Sequence, residues 1–197
     1  MYWKARIPTG LIVIAAGVLG GQTGAAQPLP PGNGTPGCVD GGGYLRARLR
    51  GALTLDLAWR DAEMHCEGGP RPDGRALRVS IAGPEHGGGR RLRFVFGIAG
   101  AKEGAPGRAL PTNLTVIFEG EERLYATRGE DKCTVDELRQ ERIGALGGTV
   151  RSYRIIARGF CTAPATRPTH GERLLVTTFD FAGRVSYQEE QTAHDPP

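Results

Sequence analysis

The sequence predicts an all-β protein: an antiparallel β-sandwich or barrel of about eight or more short strands, with disulfides. Three observations predict it. Apolar residues recur at every second position through most of residues 44–188, the period of a strand with one buried face. Gly- and Pro-rich breaks separate these runs at short intervals, as turns separate antiparallel strands. Four cysteines fall into two pairs, Cys38/Cys66 and Cys133/Cys161, each 28 positions apart.

The ends of the 197-residue chain stand outside this pattern. In residues 1–26, Lys4 and Arg6 precede the apolar run Leu11–Leu19, and Gly24-Ala25-Ala26 offers a small-residue cleavage site before Gln27. That is the layout of a secretory signal peptide. The apolar run is shorter than the roughly 20 residues that cross a bilayer, so the cleaved chain is expected not to be an integral membrane protein. Residues 27–43 form a Pro/Gly-rich linker, residues 44–188 a single β-domain, and residues 189–197 a polar, flexible tail. The chain is therefore expected to be exported, periplasmic or secreted. Its basic residues are almost all arginine, only Lys4, Lys102 and Lys132 being lysine, which suits a GC-rich bacterial genome.

Within the domain the first alternating run is Tyr44–Trp59. Leu45, Ala47, Leu49, Leu53, Leu55, Leu57 and Trp59 share one phase, and Arg46, Arg48, Arg50, Thr54 and Asp56 the other. Gly51 marks either a hairpin turn or a bend in one long strand. A short strand is expected at Met64–Glu67 and a turn over 68–74. Strands follow at Leu77–Ile81 and Leu92–Ile98, then a long loop over 99–113 rich in Gly and Pro. Leu114–Phe118 turns through Gly120-Glu121-Glu122 into Arg123–Arg128. The last strands are Tyr153–Phe160, Leu174–Phe181 and Val185–Tyr187.

Residues Thr134–Leu146 fit two descriptions. Thr134-Val135-Asp136-Glu137 has the form of a helix capping box, with Leu138, Ile143 and Leu146 continuing a short helix. The alternative, favoured in a chain otherwise made of strands, is the outgoing arm of a hairpin that turns near Gly147-Gly148. That hairpin places Cys133 opposite Cys161. A turn at Gly51 and Ala52 does the same for Cys38 and Cys66, whereas one long strand separates them. An even cysteine count in an exported chain favours disulfides, and the expected pairing is Cys38–Cys66 with Cys133–Cys161.

The residues offer little catalytic chemistry. Ser80, Ser152 and Ser186, the serines after residue 26, lie in no Gly-x-Ser-x-Gly elbow. Gly41-Gly42-Gly43 and Gly87-Gly88-Gly89 lack the strand and helix that make a phosphate cradle, so no cofactor is expected. Asp61, Glu63 and His65 alternate, so in an extended segment they point one way and form a weak metal-ligand candidate. Removing residues 1–26 takes away two of the excess positive charges and leaves +2 from a formal +4, too little for a nucleic-acid footprint. Arg46, Arg48 and Arg50, with Arg91 and Arg93, would form basic stripes on an outer face, candidates for surface contact. The leading expectation is a non-enzymatic binding or interaction domain, its partner an envelope component or another protein. One alternative is a carrier of small apolar ligands with a lipocalin-like barrel, whose cavity Trp59, Phe94, Phe96, Phe118 and Phe179 would line. A metal-assisted hydrolase using Asp61–His65 is a lesser one.

Overall fold

Alternation becomes strand through most of the chain. The computed structural model describes Cys38, Val39, residues 42–146 and residues 150–188. The expected signal segment, most of the linker, the turn at 147–149 and the tail lie outside the described residues. Among the described residues eleven strands form one continuous antiparallel sheet: β1 (Tyr44–Gly51), β2 (Leu55–Arg60), β3 (His65–Pro70), β4 (Ala76–Ala82), β5 (Arg91–Ala99), β6 (Gly107–Glu119), β7 (Arg123–Ala126), β8 (Cys133–Leu146), β9 (Val150–Cys161), β10 (Ala165–Thr166) and β11 (Arg173–Gln188). Among the described residues there is no α-helix, so Thr134–Leu146 is strand.

β11 is the central strand. β1 pairs with its first half, and β9 with its second half on the other edge, where β10 takes the remainder. β8 joins β9 to β6, with β7 continuing along the same edge of β6. β5, β4 and β3 complete the path. The sheet rolls until β3 lies against the second half of β11. That contact explains Gly68 and Gly69. A Cβ at Gly68 would stand 2.8 Å from Val185 Cγ1 and 2.6 Å from the Arg78 carbonyl oxygen, and one at Gly69 would stand 2.7 Å from the Ser186 carbonyl oxygen. These glycines, expected to begin a turn, lie within β3, and the turn follows Pro70.

The inner face is filled by side chains of both halves of the roll. Phe96 packs on Phe181 at 4.6 Å and Phe179 at 5.0 Å between ring centroids, Phe94 meets Trp59 at 5.7 Å, and Phe118 meets Tyr125 at 5.8 Å. Leu45, Leu49, Ile81, Ile98, Leu114 and Leu138 are fully buried around them. Each large apolar side chain removed from water contributes roughly 1.5–3 kcal/mol, which is why alternation dictates the sheet's inner face.

Both expected disulfides are present, Cys38–Cys66 and Cys133–Cys161. The chain turns after Gly51, whose φ of +106° suits glycine, and the β1–β2 register of Tyr44 with Arg60 brings Cys38 back toward Cys66. Cys133 stands opposite Cys161, but the register slips by one residue between Val135 and Glu137 and again between Arg142 and Gly144. Two other expectations change. The loop over 99–113 is shorter, because β6 begins at Gly107 to pair with β8; it can pass Pro111 because the β5 ladder has ended at Ile98 with Thr112. Leu174–Phe181 and Val185–Tyr187 are one strand through Gly183.

Candidate binding surface

The outer face of β1, β11, β9 and β8 carries a row of charged groups that crosses the sheet. Alternation sets Arg46 on this face of β1, and pairing places Asp180 of β11 opposite it, Arg158 of β9 opposite Asp180, and Glu137 of β8 opposite Arg158. Arg108 of β6 follows, opposite Glu137. Charge alternates in sign along this row across five strands. Arg46 lies 3.7 Å from Asp180, and Arg158 lies 2.7 Å from Glu137, which Arg139 also holds at 2.6 Å. The bond from Arg139, with Arg158 beside it, keeps the Glu137 carboxyl below the usual glutamate range. The Tyr44 hydroxyl donates to Asp180 Oδ1 at 2.8 Å. Burial and that bond push its pKa up to about 12, so Tyr44 stays a neutral donor.

Two shallow grooves adjoin at Asp180. One, of about 220 Å³, is lined by Tyr44, Glu137, Arg139, Ile156, Arg158 and Asp180. The other, of about 480 Å³, lies among Arg46, Arg48, Asp56, Ala58, Thr178 and Asp180. Together their walls hold four arginines and three carboxylates.

The candidate residues from the sequence are thus distributed unevenly. Arg46 is paired with Asp180, and Arg50 with Asp56 at 2.6 Å. Arg48 has no acidic partner within ion-pair distance among the described residues. Arg91 and Arg93 lie elsewhere on the roll and both grip Glu119, while Arg93 also reaches Ser80 Oγ at 2.8 Å. Burial opposes ionisation of Glu119, but the two guanidiniums outweigh it and hold the carboxyl below its ordinary value. The stripes are therefore largely neutralised. Tyr44, Glu137, Arg139, Arg158 and Asp180 were not singled out by sequence, because their proximity depends on strand order and register.

The Asp61–His65 group does not converge. Asp61–Glu63 form a 3-10 turn rather than an extended segment, so the alternation that aligned the three side chains is lost. Asp61 is buried and its Oδ1 accepts the amides of Cys38, Val39 and Gly43 at 3.0, 2.7 and 2.8 Å. Glu63 accepts the amide of Arg60, and His65 is exposed. Among the described residues no three His, Cys, Asp or Glu side chains gather to hold an ion. The aromatic residues proposed to line a cavity are buried against other rings. Ser152 Oγ lies 3.3 Å from Ser186 Oγ, and among the described residues no histidine is hydrogen-bonded to either.

Comparison with protein-family models, curated proteins and solved structures gives no match for the chain. The fold and surface define a disulfide-bearing all-β domain. Its two disulfides suit an oxidising, exported environment, and no helix among the described residues is long and apolar enough to cross a membrane.

Proposed function

We propose that this protein is an exported, non-enzymatic interaction domain that contacts another protein through the outer face of β1, β11, β9 and β8. The observation that carries the reading is the pair of adjoining grooves in which arginines and carboxylates alternate around Tyr44, Ile156 and Asp180. Arginine and tyrosine are enriched where proteins meet. A polyanionic surface would be better served by the open stripe that the sequence suggested, and that stripe is largely ion-paired. The filled inner face weighs against a carrier, and the dispersed Asp61–His65 group against a metal-assisted hydrolase.

The test is site-specific photo-crosslinking in cells that export the protein. A photoreactive side chain at Thr178, exposed on the wall of the larger groove, is expected to give a discrete adduct with another protein. The same group at Arg78, exposed on β4, is expected to give none. Equal adducts at both positions, or none at either, remove the reading.

A further inference from the structure

β2 ends the pairing path with a single ladder, to β1. Its other edge can be followed residue by residue. The amide of Gly43, in line with β1, points to the β2 side, where Asp61 accepts it. The amide of Arg60 points away from β1, to Glu63 Oε2 at 2.9 Å. Backbone groups alternate in direction along a strand, so Asp56 and Ala58 also present N–H and C=O on the outer edge. Among the described residues neither of these two backbones has a hydrogen-bond partner there.

Apart from Glu63 over the Arg60 amide and the charges of Asp56 and Arg60, this edge lacks the usual protections. β3, at the other end of the path, carries Gly68-Gly69-Pro70 and lies against β11. β2 reads Leu55-Asp56-Leu57-Ala58-Trp59-Arg60, with no proline, glycine, lysine or bulge. Such an edge is a template for a further strand. Its inner face is also incomplete: Leu55 and Leu57 are half-buried, whereas Leu45, Ala47 and Leu49 of β1 are buried.

We propose that β2 pairs antiparallel with β2 of a second copy, about a two-fold axis at Ala58. The strand's own charges favour this occupant. In that register Asp56 faces Arg60 of the second copy, and Arg60 faces its Asp56, so two ion pairs form by symmetry. Arg50 occupies only Oδ1 of Asp56, which leaves Oδ2 for the new contact. The small Ala58 meets its own copy at the axis, and Leu57 meets Trp59 on the inner face. A register centred on Leu57 would instead face Asp56 to Ala58 and leave the charges unmatched. The proposal does not rest on the outer-face reading.

Sedimentation velocity over a concentration series, with the full disulfide-bonded chain, tests it. The wild type is expected to show a reversible monomer–dimer equilibrium. Ala58→Pro removes an amide that the β1 ladder does not use, so the variant is expected to keep its circular dichroism and melting transition but remain monomeric. Asp56→Arg or Arg60→Asp alone is expected to weaken the dimer at least about tenfold by placing like charges together, and the double variant to return it to within about threefold of wild type. A wild type that stays monomeric up to about 1 mM overturns the proposal. So does a dimer untouched by Ala58→Pro, a double variant no better than the single ones, or a monomer whose Ala58 amide is protected by an unrelated extended peptide.

Discussion

Replacing Asp61 by alanine is expected to destabilise the protein by about 3–5 kcal/mol, far more than its place on a short turn suggests. Its Oδ1 accepts the amides of Cys38, Val39 and Gly43, and the residue is 8% exposed. A hydrogen bond to a charged group contributes roughly 1.5–3 kcal/mol. Three bonds on one oxygen are not additive, and water can enter the space that alanine leaves, so the total falls below three times that value. Asp61→Asn keeps an acceptor without the charge and should cost about 1–2 kcal/mol. Equilibrium unfolding in guanidinium chloride measures both, with an unchanged slope marking an intact end state. Hydrogen exchange gives the local readout: the amides of Val39 and Gly43 should lose protection before the strands do. An Asp61→Ala variant within about 0.5 kcal/mol of wild type, the ordinary surface range, would refute the idea that this carboxylate pins the segment carrying Cys38.

Three further outcomes are expected. Ala109, in β6, has a φ of 51°, a left-handed conformation that costs a non-glycine residue roughly 1–2 kcal/mol; Ala109→Gly should raise the unfolding free energy by about 1 kcal/mol, and a decrease would show that the position is not strained. Replacing Cys133 and Cys161 together by serine should cost roughly 2–4 kcal/mol, read from the denaturation midpoint under non-reducing conditions. Glu119, held below its ordinary value of 4.5, contributes stability that is present above that value and lost as the pH falls through the depressed native one. Glu119→Gln should therefore lie furthest below wild type near neutral pH, with the gap closing in acid; a gap independent of pH would count against the Arg91–Glu119–Arg93 contact.

The strands were legible because burial imposes a two-residue period, and the places where legibility failed are the places where something else interrupts it. β8 is the clearest case. Cys133 and Val135 point inward, the bulge at Asp136 shifts the phase, and Leu138 is the next buried residue. One inserted residue turns a spacing of two into a spacing of three, which is why this strand also looked like a capped helix. β11 does the same at Thr177, where the inward set passes from Leu174 and Val176 to Phe179 and Phe181. Gly68 and Gly69 failed for another reason. A glycine demanded by a neighbouring backbone and a glycine demanded by a turn are the same letter, and only the approach of β11 separates them. The disulfide pairing was legible because both hairpins bring residues equidistant from a turn together at their open ends, although β8 reaches its register only after two slips.

The binding surface was the least legible part, since charge along one strand says little about charge across a sheet. Read along β1, Arg46, Arg48 and Arg50 form an unbroken positive stripe. Read across β6, β8, β9, β11 and β1, the row through Arg46 alternates: Arg108, Glu137, Arg158, Asp180, Arg46. Each opposed pair contributes only roughly 0.2–1 kcal/mol, so the row is a minor contribution to stability beside the buried rings. A one-residue slip of β11 against β1 would set Phe179 or Phe181 opposite Arg46, and burial of those rings already forbids it. What the row does change is the field outside the protein. Alternating charges a strand apart cancel within a few ångströms, and salt screens what remains over about 10 Å, so this face attracts little at a distance. A partner that reads it has to match the charges individually, at contact.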